Sequence, residues 1–158
     1  MKTVFFTGHR VFNYDSEVFE RFRKVLIRLI NEGVTDFYAG GALGWDMMSE
    51  ITVINMRENH MPCIKLHLVL PCPPEEQTAK WNQFDKETYQ NILEAADSVE
   101  IVSEHYDKNC MKKRNQRLVE LGDICVCYYD EKKTRSGTGQ TVRFAEKQEK
   151  EIINILSL

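Results

Sequence analysis

Asp36-Phe37-Tyr38-Ala39-Gly40-Gly41-Ala42-Leu43-Gly44-Trp45-Asp46 reads as a short strand that runs straight into a glycine loop and out into a helix covering about residues 45–59. Glycine tolerates positive φ and lets the backbone approach a ligand closely. The helix behind such a loop presents unpaired N–H groups and the positive end of its dipole, a combination that favours a bound phosphate. The same succession of apolar burst, loop and helical pattern recurs on both sides of this stretch.

Upstream, Val4-Phe5-Phe6 is a short buried strand ending at Gly8. Val18, Phe22, Val25, Leu26, Leu29 and Ile30 then mark one face of a helix over residues 16–32, which Asp15 or Ser16 can cap and Gly33 can end. Downstream, residues 64–70 form a strand stopped by Pro71-Cys72-Pro73-Pro74, and a helix is expected over 77–96. Strand 99–102, helix 111–121, strand 124–129, a polar loop with Ser136-Gly137-Thr138-Gly139, helix 140–150 and strand 152–156 complete the chain. Strands alternating with helices predict parallel β-α-β units, and the contiguous apolar strands predict burial on both faces. The expected fold is therefore α/β: a Rossmann-like open, mostly parallel sheet of about six strands with helices on both faces, in one domain spanning residues 1–158. Right-handed crossovers place every strand-to-helix loop at the same sheet edge.

The totals narrow the function classes. A hydrophobic share of 42% and a charged share of 28% suit a globular chain with a real core. The net charge of −3 lacks the basic excess from which general nucleic-acid binders draw affinity, so DNA or RNA binding is not expected. The local basic residues are Lys112, Lys113, Arg114 and Arg117, then Lys132, Lys133 and Arg135; such a cluster suits one small anion better than a polyanion. Five cysteines without a CxxC pair, and four histidines without ligand spacing, predict neither a disulfide framework nor a structural metal. Cys125 and Cys127 share one face of a strand and read as small buried thiols. The short apolar run at the start does not suit a signal peptide, and no segment suits a membrane span, so a cytoplasmic location is expected. No motif calls for a cofactor.

In an open parallel sheet, ligands bind beyond the carboxyl ends of the strands where strand order reverses. Three glycine-bearing loops fall at that edge: Thr7-Gly8-His9-Arg10, Gly40-Gly41-Ala42-Leu43-Gly44 with Asp46 behind it, and Ser136-Gly137-Thr138-Gly139. The second is neither a dinucleotide fingerprint nor a Walker loop, since it follows the second strand with the wrong spacing and no Gly-Lys-Ser/Thr occurs. Arg114 can fork two bonds onto a phosphate, with Asn115 beside it at a helix start. His9 can donate to a phosphate or exchange a proton, and Arg10 adds charge. Asp46 would repel phosphate, so it suits ribose hydroxyls or a plain helix-capping role. Trp45 suits base stacking or core packing, and Gln77 and Trp81 stand four apart on one expected helix face.

These pieces, in this order and with Thr141 after the Gly137-Thr138 loop, resemble the YpsA-like branch of the SLOG superfamily over nearly the whole chain. The resemblance implies a Rossmann-like sheet whose pocket takes nucleotides or nucleotide-derived ligands such as ADP-ribose relatives. It also implies bacterial membership and a possible homodimer through exposed helix faces. The superfamily includes the LOG phosphoribohydrolases, which release a base from its ribose phosphate, and the DNA-processing protein DprA. The LOG motif Pro-Gly-Gly-x-Gly-Thr-x-x-Glu falls here on residues 135–143, with Ser136 for the first glycine, Gln140 for the threonine and Arg143 for the glutamate. Cleaving an N-glycosidic bond builds positive charge on the ribose, which a carboxylate stabilises and an arginine opposes. The leading expectation is therefore a module that senses or sequesters a phosphate-bearing, nucleotide-derived small molecule. The alternative is a nucleoside-phosphate N-glycosidase that uses Asp46 or Glu50. A DprA-like DNA binder is disfavoured by the net charge.

Overall fold

The computed structural model describes residues 2–133 and 136–158. Arg135, counted above in the basic cluster and in the motif comparison, lies outside the described residues. Six parallel strands make one sheet in the order β4-β3-β2-β1-β5-β6. The strands are β1 (Thr3–Gly8), β2 (Asp36–Ala39), β3 (Lys65–Leu70), β4 (Ser98–Ile101), β5 (Ile124–Tyr128) and β6 (Glu151–Asn154). Between them run α1 (Ser16–Asn31), α2 (Trp45–Asn59), the single turn α3 (Pro74–Gln77), α4 (Gln83–Ala95), α5 (Cys110–Leu121) and α6 (Gly137–Lys147).

Side-chain alternation along the strands splits the core in two. Val4 and Phe6 point with Phe37, Leu66, Leu68 and Val126 into a cluster closed by α1, α2 and α4. Phe5, Val69, Cys125 and Cys127 point the opposite way, into a cluster closed by Leu118 and Val119 of α5 and Val142 and Ala145 of α6. This two-sided burial is why β1 and β5 read as unbroken apolar runs. Chain order advances outward from β1 to β4, then crosses back so that β5 pairs with β1 on its other side. The reversal therefore lies between β1 and β5, and their carboxyl ends frame the crevice.

Helix ends follow local chemistry. Asp15 caps α1 by accepting from the Glu17 N–H at 2.8 Å, and Gly33 takes φ 104° just beyond its end. The expected helix 77–96 is broken. Asn82 starts α4 by accepting from the Asp85 N–H at 2.8 Å, while Thr78 ends α3 by donating its hydroxyl to the Pro74 carbonyl at 2.8 Å. Gln77 and Trp81 therefore do not share a helix face. Trp81 packs edge-on against Tyr89, with ring centres 5.2 Å apart. In contrast, α6 starts earlier than its expected residue 140, because Ser136 caps it by accepting from the Gly139 N–H at 2.9 Å. The expected strand 152–156 stops at Asn154, whose side-chain oxygen accepts from the Leu156 N–H at 3.2 Å and turns the chain into a short 3-10 helix.

Away from the crevice, a polar array ties β2, β3 and β4 together. His67 bridges Asp36 at 2.7 Å and Ser98 at 2.6 Å, and Tyr38 stacks on its ring. Among the described residues no helix is long and apolar enough to cross a membrane.

Candidate functional site

At the crevice, β1 ends in Thr7-Gly8-His9, and the His9 carbonyl accepts the Trp45 N–H at 3.2 Å. The start of α2 is thus stitched to the end of β1. Trp45 is fully buried against Phe22, Phe12 and Tyr128, so it serves the core and not a base. Between Ala39 and Trp45 the glycine loop makes a tight bend. At Gly44, φ is 81° and a Cβ would sit 2.1 Å from the Arg10 carbonyl oxygen, so only glycine fits.

Two amides of this loop are taken up by carboxyls of α2. Gly41 donates to Glu50 Oε2 at 3.0 Å, and Ala42 donates to Asp46 Oδ2 at 3.3 Å. Gln77 seals the other side, donating to the Gly41 carbonyl at 3.1 Å and accepting from the Tyr89 hydroxyl at 2.9 Å. Gly40, Gly41 and Gly44, expected to hold a phosphate, do not line the crevice. Nor does Glu50, which is fully buried beneath the loop with Oε1 lacking a hydrogen-bond partner among the described residues. Gly40 matters in another way: a Cβ there would lie 2.4 Å from Arg114 Nη1, so the glycine makes room for the guanidinium.

That guanidinium is the most telling feature. Arg114 is 7% exposed. Its Nη1 donates to the Gly40 carbonyl, Nε donates to Asn115 Oδ1 at 2.8 Å, and Nη2 rests 3.7 Å from the Met111 sulfur. Among the described residues it forms no ion pair. Asp46 lies close enough to be felt, but not in contact. A buried cation that lacks a contacting anion is costly.

The crevice it opens on holds about 300 Å³. Its walls combine Thr7, Gly8, His9 and Arg10 from β1, Ala42 and Asp46 from the α2 start, Arg114 and Asn115 from α5, and Ser136, Gly137 and Thr138 from the α6 start. Sequence reasoning missed Met111 and Leu118, which complete the lining. Their spacing with Arg114 and Asn115 is the i, i+3, i+4, i+7 stripe of one helix face, a signal that was available. Ser136 occupies the Gly139 N–H, so Gly137 and Thr138 carry the N–H groups that α6 itself cannot satisfy. Gly139 does not line the crevice, and a Cβ there would meet Arg143, Tyr129 and Ser136.

Protonation states follow from burial. For Asp46, burial raises the carboxyl above its ordinary value, while Arg114, the Ala42 amide and Arg10 oppose the rise. Glu50 is raised well above its ordinary value by burial and by Asp46 nearby. Burial and then Lys133 lower His9, with Asp130 acting the other way. Moreover, His9 Nε2 accepts the Asp130 N–H at 2.9 Å, which fixes the neutral tautomer with its proton on Nδ1. The crevice therefore offers Arg10, Arg114, an imidazole N–H and two helix-start amides against one carboxyl.

The sequence model of the YspA SLOG family (YpsA) matches residues 6–158. This chain belongs to that family. Among the relatives of this YpsA-family chain, a UPF0398 protein of Halalkalibacterium halodurans is 32% identical over 135 residues, covering 84% of this chain and 68% of that protein. Another, from Shouchella clausii, is 35% identical over 111 residues, covering 68% of this chain and 57% of that protein. A structure of DNA processing protein A from Helicobacter pylori, described for its single-stranded DNA binding mode, superimposes with a TM-score of 0.62 at 20% identity. It covers 96% of this YpsA-family chain, which in turn spans 63% of that protein. The likeness extends to the fold.

Proposed function

We propose that the crevice binds the ribose-phosphate part of a nucleotide-derived small molecule, and that the protein senses or sequesters this ligand in the cytoplasm. The observation that carries the reading is Arg114, a buried cation without an ion pair among the described residues, opening on a crevice that also exposes the α6 helix start. A phosphate supplies the missing anion, received by Arg114, Arg10, the Gly137 and Thr138 amides and the His9 Nδ1–H. Asp46, across the crevice, accepts from ribose hydroxyls. The five free thiols fit a reducing compartment. A volume of about 300 Å³ lies at the lower end of small-molecule pockets, which favours a sugar phosphate over a long polyanion.

Isothermal titration with AMP, ADP-ribose and ribose 5-phosphate tests this. Binding is expected to weaken about tenfold or more in Arg114→Met, the loss that corresponds to one charge-assisted hydrogen bond of about 1.5–3 kcal/mol. No binding of any phosphate compound to folded protein overturns the proposal. A single-stranded oligonucleotide belongs in the same panel, because the Helicobacter pylori protein binds single-stranded DNA; strongly salt-dependent binding of the oligonucleotide alone would replace the proposal with a DNA-binding one.

Asp46 supports a second reading, an N-glycosidase. It is the carboxyl on the crevice wall, and burial raises its pKa, as a proton-donating acid requires. Against it, Arg143 stands where the hydrolase motif has its glutamate. Release of free base from AMP that is lost in Asp46→Asn decides for the enzyme.

A further inference from the structure

Arg114 places one of its donors poorly. Nε and Nη1 each donate to an oxygen, whereas the partner of Nη2 among the described residues is the Met111 sulfur at 3.7 Å. A thioether is a weak acceptor, so this end of a buried guanidinium is its least satisfied. The contact is set by α5, where residues 111 and 114 stand three apart on one face of the helix. Met111 is partly exposed and lines the crevice, so a small solute entering the crevice reaches its sulfur. Met47, Met48 and Met61 are partly exposed as well. The Met48 sulfur accepts from the Thr52 hydroxyl at 3.4 Å, and among the described residues it is the Met111 sulfur that accepts from a guanidinium.

We infer that Met111 is an oxidation site through which a peroxide closes the crevice to its ligand. The inference rests on the proposed function and adds regulation to it. In the reaction, a lone pair of the sulfur bonds to one oxygen of hydrogen peroxide and the O–O bond breaks. The departing hydroxide takes the proton from the transferred oxygen and leaves as water. Sulfur gives two electrons to the peroxide, and the side chain becomes a sulfoxide. The Nη2–H groups of Arg114, beside the sulfur, can donate a hydrogen bond to the departing oxygen. The product is a different acceptor. Its partly negative oxygen stands within hydrogen-bonding reach of Nη2, so the guanidinium gains a charge-assisted bond from its own helix. A phosphate has to displace that bond to engage Arg114. The added oxygen also takes up room in a crevice of about 300 Å³. A methionine sulfoxide reductase reverses the change with two thiols, which become a disulfide as the thioether and water are formed.

The experiment treats the whole protein with hydrogen peroxide and locates the added oxygen by peptide mass spectrometry. Calorimetry before and after treatment uses whichever of AMP, ADP-ribose and ribose 5-phosphate binds tightest. Met47, Met48 and Met61 are open to the same reagent, so Met111→Leu is treated in parallel and each protein is its own reference. In wild type, oxygen on Met111 should accompany a loss of affinity of about tenfold or more, the worth of one charge-assisted hydrogen bond. Methionine sulfoxide reductase with dithiothreitol should restore it. The same peroxide treatment should leave Met111→Leu at its own starting affinity. Met111→Gln, which carries an amide oxygen near the sulfoxide position, should bind more weakly than Met111→Leu without any peroxide. A readout that needs no ligand is the Arg114 Nε–H resonance, which should shift on oxidation of wild type and stay in place in Met111→Leu. Met111 left unoxidised, an oxidised Met111 with affinity or the Arg114 resonance unchanged, or an equal loss in Met111→Leu overturns the inference and leaves the crevice reading intact. Failure of the untreated, folded protein to bind any of the three compounds overturns both.

Discussion

Glu50→Gln isolates the physical consequence of burying a carboxyl beneath the glycine loop. Glu50 is fully buried, accepts one hydrogen bond from the Gly41 amide and has a second oxygen without a partner among the described residues. Burial and the neighbouring Asp46 raise its pKa well above the ordinary 4.5. A group with a folded-state pKa above its unfolded value contributes stability that is complete below the unfolded pKa and is lost as pH rises to the folded one. Between those limits unfolding releases one proton, so stability declines by about 1.4 kcal/mol per pH unit. Glutamine keeps the acceptor for Gly41 and cannot ionise. The variant should therefore match or slightly trail wild type near pH 4.5, then overtake it, with a ceiling of about 3 kcal/mol at pH 7 from that slope. For a chain of this length the ceiling corresponds to about 6–12 °C in Tm. Urea unfolding of both proteins at half-unit steps from pH 4.5 to 8 reads the effect directly. Parallel pH profiles, or a stability difference that moves against the variant as pH rises, would refute the reasoning.

Three further outcomes follow from the same geometry. Gly40→Ala drives a methyl group into Arg114 Nη1, so it should cost about 1–3 kcal/mol in urea unfolding and also weaken AMP binding in calorimetry. His9 has its pKa lowered by burial and Lys133, so its contribution is present above pH 6.5 and is lost on acidification below it. Once pH falls past the lowered folded-state pKa, the Asp130 amide loses its acceptor, and its ¹⁵N–¹H resonance should shift in an NMR titration that leaves the β1 amides of Val4 and Phe5 unmoved. Burial works against ionisation of Asp36, yet hydrogen bonds from His67 and Thr35 hold its pKa below 3.8; Asp36→Asn should therefore destabilise the protein at pH 6, with the difference shrinking as pH falls through 3.8.

The sheet was legible because its central strands are covered on both faces, which turns Val4-Phe5-Phe6 and the 124–128 run into uninterrupted apolar bursts. The order of strands was not spelled out by any residue, but alternation and crossover handedness leave few alternatives. The break at residues 78–82 was hidden because Gln77, Trp81 and the α4 apolar positions continue a helical spacing through it; only the Asn82 cap distinguishes two helices from one. The candidate crevice was legible in its outline, since Arg10, Asp46, Arg114, Asn115 and Ser136 to Thr138 all reach it. The roles of the glycine loop were not. Whether the Gly41 and Ala42 amides face a ligand or a carboxylate depends on where side chains of α2 lean, and long side chains on a helix lean back towards its N-terminus. Glu50 and Asp46 stand four apart on α2, so that lean carries both back to the loop and takes up its amides.

The central claim is that Arg114 is a buried cation held ready for a phosphate. A crystal structure of the protein with AMP tests it most directly. The account predicts phosphate oxygens within hydrogen-bonding reach of the Arg114 guanidinium and of the Gly137 and Thr138 amides, with the ribose beside Asp46. An AMP phosphate bound elsewhere on the protein, with Arg114 still unpaired, would contradict it.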